Sequence, residues 1–157
     1  AYAGFVQGFQ TVGAAMADAG IAERVRALMD AAAATLDPLA GIDFSEYGEA
    51  LEGRFRNPHL AHETYQIAMD GSQKMPQRVF APALDALHCG QDIRPFAFAT
   101  AAWLAYLRGP HDLRDPRAAE LAPPTPDHIF NLPNLLPSEL KQSRHWRRGV
   151  EAALSEF

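Results

Sequence analysis

Apolar residues recur at intervals of three or four from the first residues of the chain, which is the spacing of one face of an α-helix. The series consists of Tyr2, Phe5, Phe9, Val12 and Met16. Neither an initiating Met nor a capping residue precedes it, so we expect the chain to begin inside a helix and to be one domain of a longer protein. Gly4 and Gly8, one turn apart, would let a neighbouring element approach this helix closely.

A second apolar stripe follows, and a capping signal then marks a third helix. The stripe consists of Ile21, Val25, Leu28 and Met29, and it ends before a loop over residues 37–41. Asp43, with Glu46 three residues later, is typical of a helix start. The face that this third helix is predicted to bury consists of Tyr47, Leu51 and Phe55.

A fourth helix is predicted over residues 57–70, because Asn57 would cap its free amides and Pro58 suits the first helical position. Gly71 would end this helix, and Ser72 would cap the next one. That next helix should end near residue 90, where a His-Cys-Gly sequence stands.

The second half of the chain continues the helical pattern. The apolar run over residues 96–107 has twelve residues, which is too short to span a membrane and fits a buried core helix. An Asp-Pro pair at residues 115–116 predicts a short helix. Five prolines over residues 123–137 predict an irregular surface loop, and a last helix should begin near Ser138. Because no segment alternates apolar and polar residues as a strand does, we predict an all-α fold.

Composition fits one globular domain of 157 residues, with 48% hydrophobic residues and a net charge of -5. An acidic chain argues against nucleic acid as a partner, and we interpret the basic cluster at residues 144–148 as a solvated helix face. The single cysteine, Cys89, cannot form an internal disulfide and favours a reducing compartment, hence the cytoplasm. The sequence shows neither a secretory signal nor a membrane span.

Motifs for cofactor or metal chemistry are absent from the sequence. There is no Gly-x-Gly-x-x-Gly after a strand, no phosphate loop and no pair of cysteines at zinc spacing, so we predict no cofactor-binding residues. His59 and His62, three residues apart beside Glu63, offer two metal ligands without an obvious third. We therefore predict no metal site.

Four polar side chains stand close to two predicted helix junctions and allow two interpretations. Lys74 and Arg78 would share a helix face, while Arg54 and Asn57 lie at the preceding junction. If these groups converge, they suit a hydroxylated or anionic ligand, because guanidinium offers paired donors to a carboxylate. Alternatively they cap helices and pair with nearby acids, and spacing alone favours this second interpretation.

The stretch that contains them resembles a known family. The matching elements are Arg54-Phe55, Asn57-Pro58 and the run Gln66 to Arg78, which includes Asp70-Gly71-Ser72; looser matches are Ala1-Tyr2, Gly4 through Val12, Ala102-Trp103, Tyr106 to Gly109 and Asp112 to Pro116. They resemble the C-terminal domain of the polyol-specific long-chain dehydrogenases, the family of mannitol 2-dehydrogenase and fructuronate reductase. The sequence of residues 67–74 resembles the fructuronate reductase branch more closely than the mannitol dehydrogenase branch.

The resemblance implies a multi-helical domain like the C-terminal domain of 6-phosphogluconate dehydrogenase. In this family an N-terminal Rossmann domain binds NAD, and a Lys, Asn and His cluster just upstream of the part matching Ala1-Tyr2 performs the chemistry. None of these three residues is in this chain, so we predict no catalytic residues here and an inactive isolated chain. As substrate contacts the resemblance points to Arg54, Asn57, His62 and Lys74.

The resulting hypothesis is that residues 1–157 form the substrate-binding C-terminal domain of an NAD-dependent oxidoreductase. It would interconvert a polyol or sugar acid with its keto form, with D-mannonate and D-fructuronate favoured and mannitol and fructose next. Its partners would be that small substrate and its own N-terminal domain. The alternative from another class is a free-standing helical protein-interaction domain without catalytic activity.

Overall fold

The computed structural model describes residues 1–57 and 59–157, and within them the regular elements are helical. The sole strand-like feature there is an isolated antiparallel bridge between Thr11 and Glu63. The helices are α1 (Tyr2–Val6), α2 (Val12–Ala17), α3 (Ala19–Ala33), α4 (Phe44–Phe55), α5 (Thr64–Ala68), α6 (Gly71–Met75), α7 (Ala81–His88), α8 (Arg94–Arg108), α9 (Pro126–Asn131), α10 (Ser138–Gln142) and α11 (Arg144–Leu154), with a π-helical segment, Pro76–Phe80, between α6 and α7. The all-α prediction is confirmed.

Helix α8 lies at the centre of the fold and packs against α1, α3 and α11. Its apolar run is buried as predicted, and Phe96, Trp103 and Leu104 are fully shielded from solvent. Each such side chain contributes about 1.5–3 kcal/mol on burial, so this helix supplies much of the core. None of the helices in the described residues is long and apolar enough to cross a bilayer.

The continuous helix predicted for the first sixteen residues is wrong. Helix α1 ends at Val6, and Gly8 then takes a φ of +86°, a left-handed conformation that turns the chain out of the helix. Close approach is confirmed at Gly4, where an added Cβ would stand 2.7 Å from the Cβ of Ala15. It is wrong for Gly8, which has no neighbour within 4 Å of such an atom.

Helix α4 begins where predicted, and its buried face agrees only in part, since Leu51 and Phe55 are half-buried as predicted. Asp43 caps it by accepting hydrogen bonds from two backbone amides of the first turn. Tyr47 of the predicted buried face is 62% exposed, whereas Glu52 is only 7% exposed. The Glu52 carboxylate is buried because Arg26 of α3 and Arg56 both donate to it, at 2.6 and 2.9 Å. Ion pairing, which the apolar pattern does not encode, therefore sets the orientation of this helix.

The helix predicted over residues 57–70 is observed only as the five residues of α5. The side chain of Asn57 accepts a hydrogen bond from the amide of His59 at 2.9 Å, which makes a turn instead of a helix start. Pro58 lies outside the described residues. Helix formation stops here because the backbone bonds elsewhere: the amide of Val12 donates to the carbonyl of His62 at 2.9 Å.

A helix break near residue 71 is confirmed, but the roles predicted for its residues are wrong. Gly71 does not end a helix; it is the first residue of α6, and Ser72 follows inside that helix. The residue before α6, Asp70, takes a left-handed φ of 58°. Helix α7 ends at His88, as predicted.

The region after α8 is more regular and more buried than the ordered but irregular surface loop that the prolines predict. Residues 116–121 form consecutive turns, so the short helix predicted at 115–116 is wrong. The irregular surface loop predicted over 123–137 is also wrong, because it contains α9 and contributes core residues, namely Leu132, Leu135, Leu136, Ile129 and Phe130. The last helix starts at Ser138 but divides at Ser143, whose hydroxyl caps α11.

Candidate functional site

Arg54 and Asn57 lie together at the end of α4. Arg54 occupies the last helical turn and is exposed, and within the described residues no side chain pairs with its guanidinium. The amide of Asn57 donates to the carbonyl of Arg54 at 3.3 Å. Both of these predicted site residues therefore lie at the C-terminal end of α4.

The backbone at residues 62–64 is bonded to residues 10–12, which attaches the start of α5 to the segment between α1 and α2. The hydroxyl of Thr64 donates to the carbonyl of Phe9 at 2.6 Å, and its amide donates to the carbonyl of Gln10 at 2.9 Å. His62 is bonded through its backbone while its imidazole is exposed. Beside it runs a groove lined by Phe5, Gly8, Phe9, Gln10, Thr11, Ala61, Glu63, Thr64 and Tyr65. His62 is thus attached through its backbone to Val12, while Arg54 and Asn57 lie at and just after the end of α4.

Lys74 has a different position from the other three predicted contacts. Its ammonium donates to the carbonyl of Met69 at 2.6 Å and to that of Ile67 at 3.1 Å. These carbonyls lie at the end of α5, where they have no partner within the helix. The structure therefore gives Lys74 the capping role of the second sequence interpretation.

The turn before α6 is clamped from the segment after α8. The amide of Asp70 donates to the carbonyl of Arg114 at 3.0 Å. The carboxylate of Asp115 accepts from the amide of Ser72 at 2.8 Å and also from the Ser72 hydroxyl. It accepts a third hydrogen bond from the amide of Arg117 at 2.9 Å. Asp115 therefore holds the start of α6, a role that its Asp-Pro context did not reveal.

Gly71 is required at this turn because α6 lies directly against α8 and α1. An added Cβ would stand 2.3 Å from Nε1 of Trp103 and 3.0 Å from the hydroxyl of Tyr2. Burial, the nearby Tyr106 hydroxyl and the Asp115 carboxylate raise the pKa of Tyr2 well above its usual range. The first turn of α1 therefore presents a neutral phenol to the Asp70-Gly71 turn.

A cluster of aromatic rings lies further along α1. Tyr106 packs against Tyr2 with ring centroids 5.3 Å apart and against His111 at 4.3 Å. Burial raises the pKa of Tyr106 to about 12, and burial also lowers the pKa of His111. His111 is not among the residues predicted from the sequence, although its position just after the long apolar helix, in a Gly-Pro-His turn, is a usable signal.

No group of three His, Cys, Asp or Glu side chains suited to a metal ion occurs in the described part of the chain.

Comparison with protein families gives one match, which covers residues 1–146 and is described as the mannitol dehydrogenase C-terminal domain.

Curated relatives include three oxidoreductases. The uncharacterized oxidoreductase YeiQ of Escherichia coli is 38% identical over 135 residues, which is 84% of this chain and 27% of YeiQ. The D-mannonate oxidoreductase of the same organism is 38% identical over 127 residues, 76% of this chain and 26% of that protein. The mannitol 2-dehydrogenase of Phaeosphaeria nodorum is 29% identical over 166 residues, 99% of this chain and 29% of that enzyme. The chain thus spans between a quarter and a third of each of these relatives.

Among solved structures, the ternary complex of Pseudomonas fluorescens mannitol 2-dehydrogenase with NAD and D-mannitol matches with a TM-score of 0.91. The match covers 99% of this chain and 34% of that enzyme at 24% identity. A D-sorbitol dehydrogenase in its substrate-free form matches with a TM-score of 0.73, also at 24% identity. At this identity the likeness shows that the fold is shared.

Proposed function

We propose, because the chain belongs to the mannitol dehydrogenase C-terminal domain family, that it is the substrate-binding domain of an NAD-dependent oxidoreductase. This enzyme would interconvert a polyol or sugar acid with its keto form. The observation that carries the proposal is the family match over residues 1–146, combined with relatives three to four times longer that are themselves oxidoreductases.

NAD would be bound outside this chain, by an N-terminal domain. Dinucleotide sites of the Rossmann type need a parallel sheet and a glycine-rich turn, and no strand is present among residues 1–57 and 59–157. We therefore assign a Rossmann-type NAD site to the N-terminal domain. This chain would bind the substrate, and hydride and proton transfer would take place on residues and cofactor of the other domain.

D-mannonate and D-fructuronate are the substrates that we favour, with mannitol and fructose next. The D-mannonate oxidoreductase of Escherichia coli is 38% identical to this chain, against 29% for the mannitol 2-dehydrogenase of Phaeosphaeria nodorum. A sugar acid carries a carboxylate that a polyol lacks, and an exposed guanidinium such as that of Arg54 is suited to hold it.

The four proposed contacts differ in how freely they can reach a ligand. Arg54 and His62 are exposed, and the guanidinium offers paired donors. Asn57 has committed its side-chain oxygen to the amide of His59 but keeps an NH₂ group that can donate to a hydroxyl. Lys74 has directed its ammonium to two carbonyls, so only one of its three donors remains for substrate.

Kinetics of the longer polypeptide that we propose contains this chain would test the assignment of Arg54. Loss of a charge-assisted pair costs about 1.5–3 kcal/mol, so Arg54→Ala should raise the KM for D-fructuronate roughly 10- to 100-fold. The KM for fructose should change much less. Arg94→Ala is the matched control, because Arg94 is exposed and pairs with Asp92 two residues away. An unchanged KM for D-fructuronate would dismiss the Arg54 contact.

The isolated chain provides a second test, of the division between domains. We expect NADH titrated into the 157-residue chain to show no saturable change in fluorescence, and we expect no turnover of sugar acids. Tight binding of NADH by the isolated chain would contradict the proposed division.

A further inference from the structure

His111 fills a pocket between three aromatic rings that belong to three helices. Its ring centroid lies 4.3 Å from that of Tyr106 on α8, 4.9 Å from Phe5 on α1 and 6.0 Å from Tyr65 on α5. The backbone places it there by a tight turn after α8, in which the amide of His111 donates to the carbonyl of Gly109 at 2.9 Å. The imidazole therefore contacts aromatic side chains of α1, α5 and α8 at the same time.

Neither ring nitrogen of His111 has a hydrogen-bond partner within the described protein, and both are shielded from solvent. The hydroxyl of Tyr106 is in the same condition. Buried polar groups are nearly always paired, so this arrangement needs a reason. A neutral imidazole tolerates such a pocket far better than an imidazolium, which would enter it without a counter-ion.

Among the charged and titratable groups around the pocket, no carboxylate of the described residues forms an ion pair with the imidazole. Asp112, its neighbour in sequence, is exposed and pairs with Arg114 at 3.3 Å. On α5, the hydroxyl of Tyr65 donates to the carbonyl of Asp112 at 2.6 Å. The Arg114 guanidinium lies 5.8 Å from the centroid of the Tyr65 ring. From α8 the facing group is the Tyr106 phenol. Helix α1 contributes Phe5 and, one turn earlier, the neutral phenol of Tyr2.

Two opposing effects act on a protonated His111. Three aromatic rings at these distances attract a cation by roughly 0.5–2 kcal/mol at each well-placed face, whereas removal from water penalises it. Two of the rings, Phe5 and Tyr65, meet the imidazole at interplanar angles of 66° and 88°, and neither supplies a carboxylate that could pair with an imidazolium. Desolvation therefore dominates, and burial holds the pKa of His111 below its ordinary value, with Asp112 opposing this in part.

We propose that His111 is a pH-sensitive latch, which in its neutral form packs α1 and α5 onto the segment after α8 and on protonation loosens that contact. The direction of the pH dependence follows from the lowered pKa of His111 in the folded state. The contribution of His111 to stability is complete above the ordinary histidine pKa of about 6.5. It is lost as the pH falls from there toward the folded-state pKa. This proposal concerns the fold of the chain and stands independently of the proposed enzymatic function.

Thermal unfolding of the chain between about pH 8 and about pH 5.5 tests the latch against two variants. His111→Phe keeps an aromatic ring in the pocket and removes the titration. His88→Gln is the matched control, since His88 is exposed and bonds to Glu139 at the surface. We expect the Tm of the unmodified chain and of His88→Gln to fall over this range, and that of His111→Phe to fall by clearly less. An equal fall in all three proteins would overturn the proposal.

Two further measurements keep the test decisive if His111→Phe does not fold. The NMR titration midpoint of the His111 ring in the unmodified chain should lie below about 6.5, and a midpoint at or above that value would refute the latch. Amide hydrogen exchange should accelerate at the lower pH over residues 2–6 and 64–68, after correction for intrinsic rates, and not over 144–154. Uniform acceleration across these helices would count against a local latch.

Discussion

Replacing Gly71 with alanine tests whether α6 is held against α8 as closely as the structure shows. The added methyl group would stand 2.3 Å from Nε1 and 3.1 Å from Cδ1 of Trp103, both well inside contact distance. Trp103 is fully buried and packs edge-on against Phe80 with ring centroids 6.2 Å apart. Because the indole has no free space to move into, the strain falls on the helix itself.

The magnitude follows from opposing contributions. Overpacking of a filled core costs about 1–3 kcal/mol, occasionally more, whereas Gly to Ala in a helix interior gains up to about 1 kcal/mol. The gain is smaller here, since Gly71 is the first residue of α6. We expect a net loss of about 2 kcal/mol in the free energy of unfolding, which lowers Tm by about 4–8 °C for a chain of this size.

Gly53→Ala supplies a control of opposite sign. Gly53 lies on the exposed side of α4, and no atom comes within 4 Å of an added Cβ. Its replacement should raise Tm by about 2–4 °C through helix propensity alone. Circular dichroism at the helical band, recorded during heating, measures both variants. If Gly71→Ala melts at or above the unmodified chain, the close packing of α6 on Trp103 is refuted.

Two other expectations concern carboxylates. Asp115→Ala should lower the free energy of unfolding, measured in urea, by about 1–3 kcal/mol, because the substitution removes the acceptor that holds the start of α6. Asp112→Ala, at an exposed site, should change the free energy of unfolding little. Equal effects of the two substitutions would contradict the role of Asp115. The hydrogen bonds from Arg26 and then Arg56 hold the pKa of Glu52 below its ordinary value, so its contribution is present above about pH 4.5 and is lost as pH falls through the lowered value. Acid unfolding of Glu52→Gln should accordingly be less steep below that pH, and an unchanged acid transition would contradict this.

Local signals predicted the helices whose ends are set by their own residues. Asp43 caps α4 with its side chain, and the apolar run of α8 follows a proline in the first turn, as the sequence indicates. The helix predicted from Asn57 fails because its residues find backbone partners on residues 9–12, which are remote in sequence. Single-sequence patterns carry no information about such pairings.

The prediction of a surface loop for the proline-rich region is wrong for a related reason. Prolines exclude a long helix, yet Pro126 sits in the first turn of α9, where a missing amide costs nothing. Its apolar side chains are then buried, and α9 contacts α11. Burial depends on which elements meet in space, so composition alone predicted a surface loop where the fold needs part of its core.

The same separation between local and remote contacts bears on the candidate site. Arg54 and His62 have exposed side chains, and their removal breaks no side-chain hydrogen bond or ion pair among the described residues, so their variants can change ligand binding with little change in stability. Lys74 caps α5, and any kinetic effect of its loss would combine a substrate contribution with a shift of the turn at Asp70. Stability measured beside kinetics separates these cases, since a residue that only binds substrate leaves Tm unchanged. By that criterion Arg54 and His62 can be tested by substitution alone, whereas a role for Lys74 in binding must first be distinguished from its role in holding α5.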